Sequence, residues 1–359
     1  MKTITIDARK INDSGIGRYI RNLVPLIIEE LSEYNFNLLG DIQEMNSFIW
    51  TKNDNIRLIN CKLKNYSISE QINLVKFIPK NTNLYFAPFY NIPIFYSGKI
   101  VTTVHDVAHL VRPEYSLLKK IYAKLMLNFV QSKSAFILTV SEFSKNEILK
   151  YIKVKNKDKI KVIYNGIGND WLHASKGLNP YIKPYLLYVG NIKPHKNLIS
   201  LLNAFELIKD KIPHDLVIIG RKEGFITGDY NVFQKAIQLE DRISFTGLID
   251  DNMLKQFYSH TDALVFPTLY EGFGLPVIEA MACRCPVIAS NIPSLLEIFD
   301  NKVLYFDPYN YEDIADKIIK LLSDKELRKS QIAKGFNKVK EFNWSKSAKS
   351  ICEIFKQAL

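Results

Sequence analysis

Short runs of Val, Ile and Leu recur along the chain and end in Gly, Pro, Ser or Asp. In the first half they predict strands at TITIDA, LYFAP, KIVTTVHD and AFILTVS. In the second half they predict strands at YLLYVG, DLVIIG, RISFTG, DALVFP and CPVIAS. Runs of this kind match parallel strands buried on both faces. Between them lie stretches with the 3.6-residue period of a helix, such as GRYIRNLVPLIIEEL and NLISLLNAFELIKDKI. Regular strand–helix alternation predicts a doubly wound α/β architecture. A chain of 359 residues is long enough for two such domains. The break is placed at NDWLHASKGLNPYIKP (169–184), which is rich in Gly, Pro and polar residues and has no clear period. That predicts domains over 1–175 and 180–342. The last segment, NWSKSAKSICEIFKQAL, reads as an amphipathic helix, with Trp344 before its start and Ser345 as N-cap.

Charge and composition narrow the classes. A formal net charge of +11 favours an anionic partner: nucleic acid, anionic lipid or a phosphorylated substrate. No helix-turn-helix, zinc-finger or RNP signature is present, so no nucleic-acid partner is expected. No apolar run reaches the length of a membrane span. The start, MKTITIDARK, reads as a first strand and not as a signal peptide, which predicts a cytoplasmic protein. Cys61, Cys283, Cys285 and Cys352 lack zinc or disulfide spacing and are expected to be free thiols.

The most informative stretch is YEGFGLPVIEAMACRCPVIAS, which begins at Tyr270. Gly272 and Gly274 let the backbone approach a ligand closely after the strand DALVFP. Pro276 suits the first position of a helix, where its missing N–H costs nothing. Amides at Gly274 and Leu275 then head a helix at the carboxyl end of a strand, a natural anion site. Glu271 lies in the loop and Glu279 one turn into the helix. Carboxylates accept hydrogen bonds, so hydroxyl groups are their natural partners. Phosphate on the backbone with hydroxyls on either side describes a sugar nucleotide. The plainer alternative makes Glu279 a helix-dipole carboxylate and Glu271 a solvated loop acid.

Other features are weaker. Gly15 and Gly17 follow the first strand and precede a helix, but residue 20 is Ile, so the dinucleotide fingerprint is not met. His105 and Asp106 end the strand KIVTTVHD. Over 115–134, Leu118, Tyr122, Leu125 and Phe129 share one helical face, with Lys119, Lys120 and Lys124 around them. Such a helix either lies on anionic lipid or turns its apolar stripe into the core.

The segment YEGFGLPVIEA resembles the E-x7-E motif of the retaining glycosyltransferases of family 4. IDARKINDSGIGRYIRNLVPLI, TTVHDVAHLVRPEYS, LTVSEFSKNEI, VIYNGI, VGNIKPHKNL, FTGLIDDNML and SNIPSLLEI each fall in that family's order. The likeness covers nearly the whole chain and leans toward bacterial mannosyltransferase-like members of polysaccharide biosynthesis. It implies the α/β GT-B fold, two Rossmann-like doubly wound domains facing a cleft. It also implies that the terminal helix, 343–359, packs back on the first domain.

The resemblance assigns roles. Glu271 contacts the transferred sugar and Glu279 the ribose, while backbone donors at Phe273, Gly274 and Leu275 hold the distal phosphate. Lys196 binds the diphosphate, Gly15 and Gly17 line the donor or acceptor, and His105 lies near the transferred sugar. Where the family often has an arginine, this chain has Asn191 and His195, so Lys193 or Arg221 is the candidate for the second diphosphate charge. No D-x-D occurs, which with Lys196 predicts transfer without a metal ion and without a cofactor. The implied donor is GDP-mannose or a UDP-sugar. The acceptor is a glycan or lipid-linked saccharide, met at the inner face of the cytoplasmic membrane, with peripheral contact to anionic lipid. An epimerase, a phosphorylase or a non-catalytic binding protein of the same fold is the alternative.

Overall fold

The computed structural model describes residues 2–220 and 230–359. The chain divides into two compact units: Met1–Gly166 with Asn343–Leu359, and Ile167–Phe342. The division thus falls just ahead of the polar stretch at 169–184, because Asn169–Leu172 already forms a helical turn that buries Trp171 within the second unit.

The first unit is built on a seven-stranded sheet ordered β3-β2-β1-β4-β5-β6-β7. Its strands are β1 (Thr3–Asp7), β2 (Asn35–Gly40), β3 (Ile56–Asn60), β4 (Leu84–Ala87), β5 (Ile100–Val104), β6 (Ser134–Thr139) and β7 (Ile160–Val162). All neighbours pair in parallel. Helices α1 (Gly15–Glu30), α2 (Ile68–Phe77), α3 (Leu117–Lys133) and α4 (Glu142–Tyr151) connect them. The central strands β1, β4 and β5 are buried along their whole length, their Thr side chains included.

The second unit has a six-stranded parallel sheet ordered β10-β9-β8-β11-β12-β13. Its strands are β8 (Tyr185–Val189), β9 (Asp215–Ile219), β10 (Ile243–Gly247), β11 (Ala263–Phe266), β12 (Val287–Ser290) and β13 (Leu304–Phe306). The helices are α5 (Leu198–Ile208), α6 (Tyr230–Gln238), α7 (Asp251–His260), α8 (Leu275–Ala282), α9 (Pro293–Phe299), α10 (Tyr311–Ser323) and α11 (Lys325–Val339). Strand order reverses between β1 and β4 in one unit and between β8 and β11 in the other. Doubly wound sheets open a crevice at such a point, beyond the carboxyl ends of the strands.

Every strand expected from the apolar runs is present. The last helix, α12 (Trp344–Ala358), belongs to the first unit. Its N-cap is Asn343, whose side chain accepts from the Ser345 amide at 2.7 Å, and not Ser345. Trp344 is therefore inside the helix, where its ring meets Tyr19 of α1 edge-on at 5.9 Å. Phe355 packs against Phe86 of β4 at 5.0 Å and has no exposed surface. Gly166 must be glycine, since a Cβ there would lie 2.1 Å from the Trp344 amide.

Because α12 supplies part of the first unit's core, removing it strips the cover from α1 and β4. Truncation after Glu341 should yield insoluble protein. Phe355→Ala should cost about 3–5 kcal/mol and lower the melting temperature by on the order of 10 °C. Thermal denaturation of the full chain and the variant checks this. A soluble truncation that melts with the parent would contradict it.

Candidate active site

In the second unit the site forms where β8 and β11 end. After β8 the chain passes Gly190 and Asn191 and makes a tight turn, Pro194–Lys196, before α5. Gly220, at the end of β9, lets this segment approach, because a Cβ there would lie 2.1 Å from the Gly190 carbonyl. Asn197 closes the turn in the left-handed region at φ 57°, a conformation Asn tolerates better than most residues. Its buried amide donates to the carbonyls of Pro267, at 3.0 Å, and Pro308, at 2.8 Å. The His195 carbonyl accepts from the Leu269 amide at 2.7 Å and from the Thr268 hydroxyl at 3.1 Å. His195 is thus buried, with its carbonyl as a backbone anchor.

This stitching sets Lys196 against the loop after β11, where it forms an ion pair with Glu271. Both side chains are largely shielded, at 20% and 14% exposure. Glu271 is therefore not a freely solvated loop acid. Gly274 follows with φ 96°, and a Cβ there would lie 2.7 Å from the Leu295 side chain, so glycine is required twice over. Gly274 is the N-cap of α8 and contributes no side chain to capping. Leu275 is the first helical residue and Pro276 the second, one position later than the sequence predicts. The helix therefore opens on main-chain N–H groups at Gly274 and Leu275, as an anion site needs. The Phe273 ring is buried against Phe299 and Phe342, at 6.5 and 5.6 Å, leaving only its backbone for a ligand.

Glu279 lies inside α8 and is 3% exposed. It accepts a hydrogen bond from Tyr258 of α7 at 3.2 Å. The head of α8, Glu271 and Lys196 gather at the switch point, and Glu279 sits deeper on the same helix. Asn191 lies in the β8 loop, its carbonyl accepting from Tyr188 at 3.4 Å. Arg221 lies outside the described residues. Asn197, Gly220 and Tyr258 escaped the sequence reading. The sequence marks none of the three by itself, because their partners are remote along the chain.

The first unit carries a second cluster around the end of β1. Gly17 is pressed against the loop before it, where a Cβ would lie 2.5 Å from the Ile11 carbonyl, whereas Gly15 has open space. Arg9 grips Asp7 with two hydrogen bonds, at 2.8 and 2.6 Å, and pairs with Glu70 at 2.6 Å. Lys10 is buried beside Asp13, at 3.0 Å, and over the Tyr66 ring, at 4.7 Å. His105, at the end of β5, holds its Nε2 2.9 Å from the Pro88 carbonyl. That contact makes Nε2 the protonated nitrogen and leaves Nδ1 with the acceptor lone pair. Tyr19 meets the ring edge-on at 4.8 Å. His109 lies in a helical turn, Ala108–Val111, with the Tyr90 hydroxyl 3.0 Å from its Nδ1.

Residues 171–338 match the family described as Glycosyl transferases group 1, and residues 58–170 match Glycosyltransferase Family 4. The chain belongs to glycosyltransferase family 4. It is 29% identical over 269 residues to O-antigen chain mannosyltransferase B of Escherichia coli, covering 72% of this chain and 70% of that one. It is 34% identical over 237 residues to O-antigen chain mannosyltransferase RfbU of Salmonella typhimurium, covering 66% of this chain and 63% of that relative's length. Among solved structures it is similar to a sucrose-phosphate synthase from Thermosynechococcus elongatus, with a TM-score of 0.78, 20% identity and 99% of each chain covered. It is also similar to Anabaena HepE in complex with UDP and glucose, with a TM-score of 0.78 at 15% identity, covering 99% of this chain and all of that one, 100%. This family 4 glycosyltransferase therefore has the GT-B fold.

The surroundings of His105 generate a pH expectation. Burial is the largest influence on the ring and holds its pKa below the ordinary histidine value. On acidification the unfolded chain therefore takes the proton first. The stability contributed by His105 is fully present above about pH 6.5 and is lost as pH falls below it. The melting temperature should fall between about pH 7 and pH 5, and less steeply in His105→Gln. Parallel slopes for parent and variant would contradict this.

Proposed function

We propose that this glycosyltransferase transfers a hexose, with mannose from GDP-mannose as the leading donor, to a glycan or lipid-linked saccharide in surface polysaccharide biosynthesis. The observation that carries the reading is the convergence of Lys196, Glu271 and the head of α8 at the switch point of the second sheet. Main-chain donors and one ammonium group suit a diphosphate, and the two glutamates suit hydroxyls. Two mannosyltransferase relatives support the choice of sugar. A UDP-sugar is the competing donor, and a GDP, UDP and ADP thermal-shift screen separates them. A ligand at 100 times its Kd should stabilise by ~2.7 kcal/mol.

In this reading the second unit binds the nucleotide and the first serves the acceptor, on the cytoplasmic side of an anionic membrane. Glu279 takes the ribose, and the backbone of Phe273, Gly274 and Leu275 takes the distal phosphate. Lys196 neutralises charge on the leaving diphosphate, with Asn191, Gly15 and Gly17 beside the donor. Glu271 and neutral His105 hold hydroxyls of the transferred sugar. Transfer retains configuration: the sugar–phosphate C–O bond breaks and the acceptor oxygen attacks from the same face. Its proton passes to the phosphate oxygen that leaves. Lys196 and the helix head supply the stabilising charge that a metal ion supplies elsewhere. Turnover should therefore persist in excess EDTA; loss on chelation with rescue by magnesium or manganese would refute that part.

The two glutamates should fail differently. A ribose contact is equally strong before and during reaction. Glu279→Gln should weaken nucleoside diphosphate binding roughly ten- to a hundredfold, the worth of one charged hydrogen bond. A contact to a sugar gaining oxocarbenium character strengthens in the transition state, so Glu271→Gln should lower kcat by a similar factor. Its nucleoside diphosphate affinity should hold or rise, because Lys196 loses a competing partner. Calorimetric titration and steady-state transfer for both variants decide the matter. Equal loss of nucleotide affinity in both would overturn the division of labour.

A further inference from the structure

The helix α3 presents its apolar stripe outward. Its buried side consists of Ala123, Met126, Leu127 and Val130. Leu118 is 79% exposed, Leu125 53% and Phe129 36%, and Ile121 lies on the same outward face. Of the two sequence alternatives, a stripe in the core is therefore overturned: only Tyr122 of the four expected residues turns inward, to bond Asn91 at 2.5 Å.

The surface continues beyond this helix. Gln71 of α2 meets Tyr122 at 3.4 Å, which sets α2 beside α3 with its own Ile68 and Ile72 exposed. Lys133, at the end of α3, donates to the Tyr96 carbonyl at 3.3 Å, next to exposed Phe95. Soluble monomers rarely expose contiguous apolar surface of this kind without a use for it. The charge around it has one sign. From Tyr115 to Ser141 the sequence contains no acidic residue, while Lys119, Lys120, Lys124 and Lys133 border the stripe. Among the described residues no helix is long and apolar enough to cross a membrane.

We propose that this face, the outer side of α3 with the adjoining edge of α2, seats the first unit on an anionic lipid bilayer. The apolar side chains enter the interfacial layer, and the lysines meet lipid phosphates. A second copy of the chain fits less well. A twofold contact would bring the same unpaired lysines together, with no acid on this helix to neutralise them. The proposal deepens the membrane part of the functional reading and rests on it, but its test is separate.

The full chain should sediment with vesicles of equimolar phosphatidylcholine and phosphatidylglycerol and not with phosphatidylcholine alone, and salt should weaken the binding. Lys119→Gln/Lys120→Gln/Lys124→Gln should reduce partitioning on the order of a hundredfold. Leu118→Ser/Leu125→Ser/Phe129→Ser should abolish it. Both variants should keep the thermal shift that a nucleoside diphosphate gives the parent, which shows that they are folded. Equal binding to neutral vesicles, parental binding by the folded variants, or no binding by the parent would each overturn the proposal. So would a concentration-dependent dimer in sedimentation equilibrium that the serine variant dissolves. Failure here with transfer activity intact would leave the functional reading standing. Vesicle binding with no nucleotide response would leave the surface standing and remove the function.

Discussion

The side-chain amide of Asn197 holds the second unit's site together. One buried NH2 group bonds two carbonyls, at Pro267 and Pro308, 70 and 111 residues away in sequence. It thereby fixes the turn after β8 to the segments that follow β11 and β13. Each such bond contributes only about 0.5–1.5 kcal/mol net, but leaving both carbonyls unpaired costs about 1–3 kcal/mol apiece. The position of Lys196 follows from this clamp. So does its pairing with Glu271, because the His195 carbonyl is bonded to the Leu269 amide two residues before that glutamate. The ion pair itself is partly open to solvent, so its value lies in placement more than in stability.

The first unit solves a similar problem with charge. Asp7 ends β1 and is fully buried, which is costly unless its oxygens are satisfied. They are: Arg9 supplies two side-chain bonds and Tyr85 a third at 2.9 Å. Arg9 then reaches Glu70 on α2. The loop between β1 and α1 is thus tied to the sheet and to α2, and Gly17 lets that loop close without a clash. An apolar substitute could match the stability of this network, but it would not aim the loop.

How much of this was legible follows from where each signal resides. The strands β1 and β10 read from alternating apolar and polar positions, and β4, β5, β8, β9, β11 and β12 carry dense apolar runs and read directly from the sequence. So does β6, whose run outweighs an exposed position near its start. Missing from that reading were β2, broken by Asn35 and Asn37, and β3, β7 and β13, which lie at sheet edges where burial is partial. The turn from Glu271 to Glu279 was legible because Gly and Pro punctuate it locally. Asn197 and Tyr258 were not, since their partners are remote in sequence. The period of α3 was readable, but the side facing the core was not: the helix has two apolar arcs, and only tertiary packing chose the one containing Met126 and Val130. The N-cap of α12 was expected at Ser345 and lies two residues earlier, at Asn343, where the backbone is extended.

The pairing of Lys196 with Glu271 has a consequence for the proposed reaction. Without ligand, each charge is the other's partner in a mostly shielded place. In the proposed reaction a diphosphate would compete with Glu271 for the ammonium group. A bare nucleoside diphosphate would leave the carboxylate without its partner, at a cost that grows with desolvation. A sugar nucleotide would avoid that cost, because its sugar hydroxyls would donate to the carboxylate that its phosphate had displaced. The complete donor would thus be favoured over the product nucleotide by more than the sugar contacts alone would give. Once the sugar had left, Glu271 would again lack a donor, and re-forming the pair with Lys196 would help to expel the diphosphate. A contact that looks self-cancelling in the resting protein would in this way bias the cycle toward product release.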